Sequence, residues 1–326
     1  MKKLVLISFA FFLVSRVFGQ ADIKLYAKYD FIPGDKIIFE DNIHDETVGE
    51  FPSRWKLIYG SAEVMKKDSN YVIAYLANAE IMPNMKTPAF LPVQFTIEFD
   101  LFFYNKYNEA FYVVFDKIGK LDIRRQKISI KSFSGENNPQ KADGWHHVAI
   151  AFNNKKMKVY FDEKKVLNIP DMGDLPTKFS ISALSFGVKD GNPAIIKNIR
   201  LAEGGMPLYK RLMADGKIIT RGILFDTGKS SIKPESMGVI NEVAKMLQEN
   251  ATLKLSIEGH TDSDGEAKAN QTLSEKRSAE VKRILVELGI DAARLETKGF
   301  GASKPINPNK SVEDKANNRR VEFIKL

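Results

Sequence analysis

The feature that most limits this chain is a change of hydrophobic period partway along it. From about residue 24 to 202, the pattern is short strands, with apolar residues at every second position, separated by turns. In Gln94–Leu101, Phe95, Ile97, Phe99 and Leu101 share one face, and Lys156–Asp162, Phe179–Ser182 and Ala194–Leu201 alternate in the same way. A period of two marks half-buried strands. Asn153-Asn154, Asp162-Glu163-Lys164 and Asp190-Gly191-Asn192 supply turn chemistry between them. About a dozen strands joined by hairpins predict an antiparallel β-sandwich.

Beyond residue 216 the pattern mixes two periods. Thr220–Phe225 predicts a short strand. Lys233-Pro234-Glu235 opens a helix, with proline and an acid where a helix start favours them. Met237, Ile240, Val243, Ala244 and Leu247 form its apolar stripe, and Asn250-Ala251 end it. Leu253–Glu258 alternates as a strand. Asn270–Leu288 predicts a second helix with Leu273, Val281, Ile284, Leu285 and Leu288 inward and Gly289 just past its end. Leu295–Phe300 and Val321–Leu326 predict two more strands. The order β-α-β-α-β-β is that of a two-layer α/β sandwich.

The chain begins with basic Met1-Lys2-Lys3, an apolar run Leu4–Val14, and Val17-Phe18-Gly19. These are the parts of a secretory signal peptide, with cleavage expected after Gly19 or, next to it, Ala21. No other run approaches the roughly 20 apolar residues of a bilayer span. The expected organisation is a signal peptide at 1–19, a sandwich at 22–205, a linker at 206–219 and an α/β domain at 220–326. With no cysteine in the chain, disulfides, thiolate-bound metal, thiol catalysis and a lipidated cysteine are excluded. The net charge of +8 is spread thinly, with 27 basic against 25 acidic residues over 20–215 and 19 against 16 from 216 onward. That argues against a nucleic-acid partner.

Two strings in the carboxy-terminal third carry chemistry. One is Ile257-Glu258-Gly259-His260-Thr261-Asp262-Ser263-Asp264-Gly265, followed by Asn270-Gln271-Thr272-Leu273-Ser274-Glu275-Lys276-Arg277. The other is Gly299-Phe300-Gly301-Ala302-Ser303-Lys304-Pro305, followed by Asn317-Asn318-Arg319-Arg320-Val321-Glu322. The strand end delivers the Asp262 carboxylate to the sheet edge. Arg277 lies four residues after Leu273 within an apolar stripe. A guanidinium there is costly unless it reaches water or an anion, so Asp262 and Arg277 form two poles suited to a zwitterion. Asp262 paired directly with Arg277 is the structural alternative. His260 is expected as a hydrogen-bonded strand-end residue, Arg319 as a groove residue and Arg320 as a surface or structural contact.

Residues 216–326 resemble the OmpA-like C-terminal domain family, which includes peptidoglycan-associated lipoproteins and flagellar stator subunits. The resemblance implies noncovalent binding of peptidoglycan through the diaminopimelate of its stem peptide. Asp262 would take the ammonium and Arg277 the carboxylate. The Thr261-Asp262 amides and Asn270 would help hold that carboxylate, and Phe225, Asp226, Leu273 and Arg319 would line the groove. No cofactor, metal or catalytic residue is implied.

Upstream, Trp145-His146-His147-Val148-Ala149, followed by Lys158-Val159-Tyr160-Phe161-Asp162, resembles laminin-G-like and concanavalin-type jelly rolls. Glu163 stands where that family has glycine, so a different turn is expected. Glu98-Phe99-Asp100 begins a glycosidase-like acid pattern, but Phe103 occupies the third acid's place. Both acids are expected on a solvent face, with Trp145 and His147 as packing residues. Glu40, Asp41, Asp45 and Asp190 are oxygen donors suited to Ca²⁺ without a specifying spacing. The expected protein is non-enzymatic, unlipidated and exported to the periplasm or outer membrane, its sandwich free to meet an outer-membrane protein or a glycan. A wall-anchored carbohydrate-active enzyme and a lectin-like adhesin, with Tyr104, Tyr107 and Tyr112 as its aromatics, stay open.

Overall fold

The computed structural model describes residues 29–137, 143–204 and 208–326; the expected signal peptide lies outside the described residues. Among the described residues, fifteen strands precede residue 204: β1 Lys36–Asp41, β2 Trp55–Tyr59, β3 Ala62–Lys67, β4 Asn70–Tyr75, β5 Ala79–Pro83, β6 Gln94–Phe103, β7 Ala110–Phe115, β8 Gly119–Ile123, β9 Lys127–Ile130, β10 Phe133–Glu136, β11 Gly144–Asn153, β12 Lys156–Phe161, β13 Lys164–Ile169, β14 Phe179–Leu184 and β15 Ala194–Glu203. They form two antiparallel sheets, β13-β12-β11-β6-β15-β4-β3, with β1 also on β15, and β10-β9-β8-β7-β14-β5-β2. Phe95, Ile97, Phe99 and Leu101 of the first sheet share one buried cluster with Phe111, Val113, Leu121 and Ile181 of the second. The period-two pattern therefore placed the core face correctly.

Asp162 and Glu163 both take positive φ, 46° and 62°, at the β12–β13 hairpin. Two such residues in a two-residue loop are the requirement of the turn that Asp-Gly makes. The expected change of turn did not occur; glutamate occupies a glycine-type conformation instead.

The carboxy-terminal part contains α1 Leu208–Asp215, β16 Lys217–Thr220, α2 Met237–Glu249, β17 Leu255–His260, α3 Ala267–Glu287, β18 Leu295–Gly299, α4 Val312–Asn318 and β19 Arg320–Lys325. Its sheet order is β16-β19-β17-β18, with β17 and β18 parallel. Residues 208–219, expected as connector, hold α1 and most of β16, and β16 pairs with β19 as an edge strand of this sheet. Phe225, expected to end the first strand, makes only an isolated bridge with Ile232. The short α4 has no counterpart in the predicted order. It is polar and asparagine-rich, and so a weak helix former. A reciprocal Ser311–Asp314 capping box holds its start.

The two parts share a broad seam. Tyr29 and Phe31, at most 3% exposed, form a strap between the outer face of the first sheet and α2. Their rings meet Tyr160 edge-on at 5.5 and 5.3 Å. Gly238 of α2 approaches the Phe31 backbone with no room for a side chain. At the other end Asn317 of α4 donates to and accepts from the Ile37 backbone, at 3.3 and 3.2 Å, and so completes the edge of β1. Arg54–Glu313 and Arg211–Asp35 ion pairs flank the seam. Burying each aromatic contributes about 1.5–3 kcal/mol, so the strap holds the two parts together.

Candidate functional site

Arg277 projects from α3 with its guanidinium 4.6 Å from the centre of the Phe225 ring. Its Nε donates to the Lys229 carbonyl at 3.0 Å and one Nη to the Asp226 carbonyl at 3.5 Å. No carboxylate among the described residues forms an ion pair with it. Burial lowers its pKa to about 10; Asp262 opposes that shift and Arg319 adds to it. An aromatic bed thus supports a cation whose outer donors are free for an anion.

Asp262 lies at the end of β17 and is 8% exposed. Its Oδ1 accepts the Asp264 amide at 3.1 Å, and its Oδ2 accepts Arg319 at 2.7 Å. The other Nη of Arg319 donates to Glu40 of β1 at 2.7 Å. Glu40 also holds Arg200 at 2.7 Å. Burial alone would raise the Glu40 pKa, but Arg200 and Arg319 outweigh it and hold the carboxyl below its usual value. A chain of alternating charge, Asp262–Arg319–Glu40–Arg200, therefore runs from the carboxy-terminal domain into the first sheet. Asp262 answers Arg319 rather than Arg277.

The remaining expected site residues divide. Phe225 lies under Arg277 and Asp226 touches it through its carbonyl, while the Asp226 side chain faces Lys229 at 3.5 Å. Leu273 is half-buried and lines a separate groove with Lys229, Ser231 and Lys276, so it leaves the inward stripe that its spacing predicts. Thr261 and Asn270 brace the loop. The Thr261 amide donates to Gly301 at 2.9 Å, its hydroxyl to the Asp262 carbonyl at 2.8 Å, and the Asn270 amide to Asp264 at 2.9 Å. His260 makes no side-chain hydrogen bond among the described residues, contrary to expectation; it stacks on Phe300 at 5.3 Å. Burial and Arg320 lower its pKa to about 4. His260, Glu258 and Glu322 bring three ligand-type atoms within 4.8 Å of one another, but Arg320 already neutralises Glu322 at 2.6 Å.

Glu98 and Asp100, expected on a solvent face, lie instead at the seam. Glu98 is 3% exposed, and Asp100 accepts His147 at 2.8 Å and Asn198 at 2.6 Å. Burial would lower the His147 pKa, but Asp100, bonded to its Nδ1 at 2.8 Å, and Glu98, 3.7 Å from its Nε2, raise it above normal. His147 is an ion-pair partner rather than a packing residue. Of the Ca²⁺-type donors, Glu40 is held by arginines, Asp41 by Trp55 at 2.7 Å, and Asp190 by Lys106 at 2.7 Å. Tyr107 is tied to Asp190 and Tyr112 to Arg124. The sequence marks Glu98 as a strand acid, Glu40 as an oxygen donor and Glu235 as a helix-start acid, but nothing in it places them or Arg200 at a seam between domains.

Residues 224–319 match the model of the OmpA family. Outer membrane protein Omp38 of Acinetobacter baumannii is 46% identical over 100 residues, 30% of this chain and 28% of that protein. Outer membrane protein A of Bordetella avium is 40% identical over 111 residues, 34% of this chain and 57% of that protein. Each match spans less than two thirds of the relative. Among solved structures, the cell wall anchor of the T6SS from Pseudomonas aeruginosa is 27% identical, covering 36% of this chain and 93% of that one with a TM-score of 0.32. The peptidoglycan-associated lipoprotein from Burkholderia pseudomallei is 25% identical, covering 35% and 92% with a TM-score of 0.31. Over residues 224–319 the chain is an OmpA family domain.

Proposed function

We propose that this chain is a non-enzymatic protein of the cell envelope, exported to the periplasm or outer membrane, that holds peptidoglycan noncovalently through the diaminopimelate of its stem peptide. The observation that carries the proposal is Arg277, a half-buried guanidinium on an aromatic bed with no carboxylate partner among the described residues. The family match and the names of its relatives support the same reading. Arg277 takes the ligand carboxylate, and Asp262 takes the ammonium. Arg319 occupies one side of Asp262, but a carboxylate offers about four lone-pair positions, so an ammonium joins the pair without displacing it.

Both poles make charge-assisted bonds, each contributing about 1.5–3 kcal/mol. Arg277→Ala and Asp262→Ala are each expected to weaken binding of the full chain to purified peptidoglycan about 10- to 100-fold. Cosedimentation measures it. Undiminished pull-down by both variants, with unchanged circular dichroism, refutes the site. A glycosidase reading of the sandwich has lost its footing: Glu98 and Asp100 lie under the carboxy-terminal domain, and Asp100 is committed to His147 and Asn198.

A further inference from the structure

Arg319 is shared between the two domains. One Nη donates to Asp262 at 2.7 Å and the other to Glu40 at 2.7 Å, so each carboxylate holds one tine of the guanidinium fork. Glu40 stands on β1 opposite Arg200 of β15, and Arg200 stands opposite Glu98 of β6. This ladder of alternating charge crosses three strands on the outer face of the first sheet. Its end at Glu40 is 6% exposed and faces the OmpA domain. There Glu40 borders a cavity of about 240 Å³ together with Arg319, Phe225 and Arg277.

The Arg319 side chain is 38% exposed, so packing alone does not fix its guanidinium; the two acids do. An arginine fork released from one carboxylate closes on the other, because two parallel N–H···O bonds are the favoured geometry. On Asp262 such a closure takes up the positions an ammonium needs, since Oδ1 already accepts the Asp264 amide. It also neutralises the acid more completely. Loss of the Glu40 charge makes the surroundings of Asp262 more positive as well.

We propose that Glu40 of the sandwich is a positioning residue of the peptidoglycan site: by drawing one Nη of Arg319 to itself, it keeps Asp262 open to the ligand's ammonium. The inference rests on Asp262 as the ammonium pole, and Glu40 itself touches no part of the ligand. The sandwich then does more than present a second surface. Docked against the OmpA domain, it sets how strongly that domain holds a free amine.

The test uses the full chain and isothermal titration with a soluble stem tetrapeptide containing diaminopimelate, its side-chain amine either free or acetylated. The wild type should prefer the free amine about tenfold. Glu40→Gln should weaken binding of the free-amine peptide about tenfold, leave the acetylated peptide within about twofold, and so abolish the preference. A damaged fold would weaken both peptides alike, so the preference separates positioning from structure. Arg319→Gln, at the more exposed end of the pair, removes the fork and should keep or increase the preference. In that background Glu40→Gln should change the free-amine affinity by less than about twofold, as a double-mutant cycle reads it. A Glu40→Gln variant that keeps the preference or weakens both peptides equally overturns the positioning role, and so does an Arg319→Gln variant that loses the preference. Asp262→Ala still abolishing the preference in those cases leaves the peptidoglycan site standing. Wild type without preference for the free amine overturns the ammonium pole and the positioning role with it.

Discussion

Replacing Gly238 by alanine is expected to destabilise the folded chain by about 3 kcal/mol or more, at the upper end of overpacking costs. The added methyl would run into the carbonyl group of Phe31. Backbone cannot rotate away as a side chain can, so either α2 shifts or the strap leaves its place. Phe31 is 1% exposed and contacts both α2 and Tyr160. Losing its seat therefore also loosens the two domains from one another. Urea unfolding measures the effect as a lower midpoint. Lys245→Ala, at a position 67% exposed on the same helix, should change stability by less than about 0.5 kcal/mol. Equal midpoints for Gly238→Ala and the parent would show that residues 29–34 do not occupy the seam.

The second large effect is one of pH. Glu163 has its pKa raised from 4.5 to about 8. Burial is the main cause; Glu235 across the seam, Asp162 beside it and Asp100 reinforce it, and His147 opposes it. Between these two pKa values the folded chain keeps a proton that the unfolded chain has released. Stability conferred by the neutral form is thus fully present below about pH 4.5 and falls as pH rises to about 8. Each pKa unit of separation corresponds to about 1.4 kcal/mol. Glu163→Gln should therefore leave the melting temperature unchanged below about pH 4.5 and raise it progressively from there to about pH 8, where the difference levels off at an amount worth a few kcal/mol. A melting-temperature difference independent of pH would show that Glu163 is not confined against Glu235. The same acid sits at a positive φ of 62°, so it bears backbone strain as well as electrostatic cost.

How far the sequence could be read depended on the range of the interactions involved. Strand positions such as Phe95, Ile97 and Phe99 were legible because alternation reports one buried face directly. Pro234 and Gly289 marked helix ends through local conformational preference. The pole at Arg277 was legible because a cation in an apolar stripe is costly without a use. Leu273 was misplaced because helical spacing cannot tell a core position from the wall of a surface groove. Helix α4 was missed because its stability comes from a cap and from docking on β1, neither of which produces a period.

The sequence by itself determined the two kinds of layering, the strand faces of the sandwich, the helices α2 and α3, and the motif strings of the OmpA family domain. These follow from side-chain periodicity and local backbone preference, which act over a few residues. Only the tertiary structure decided that Asp262 answers Arg319 rather than Arg277, that Glu98 and Asp100 face a second domain instead of water, and that Tyr29 and Phe31 fill the gap between them. Partners such as Glu40 and Arg319, 279 positions apart, leave no periodic trace. Their pairing is set by which surfaces meet when both domains bury their apolar faces together.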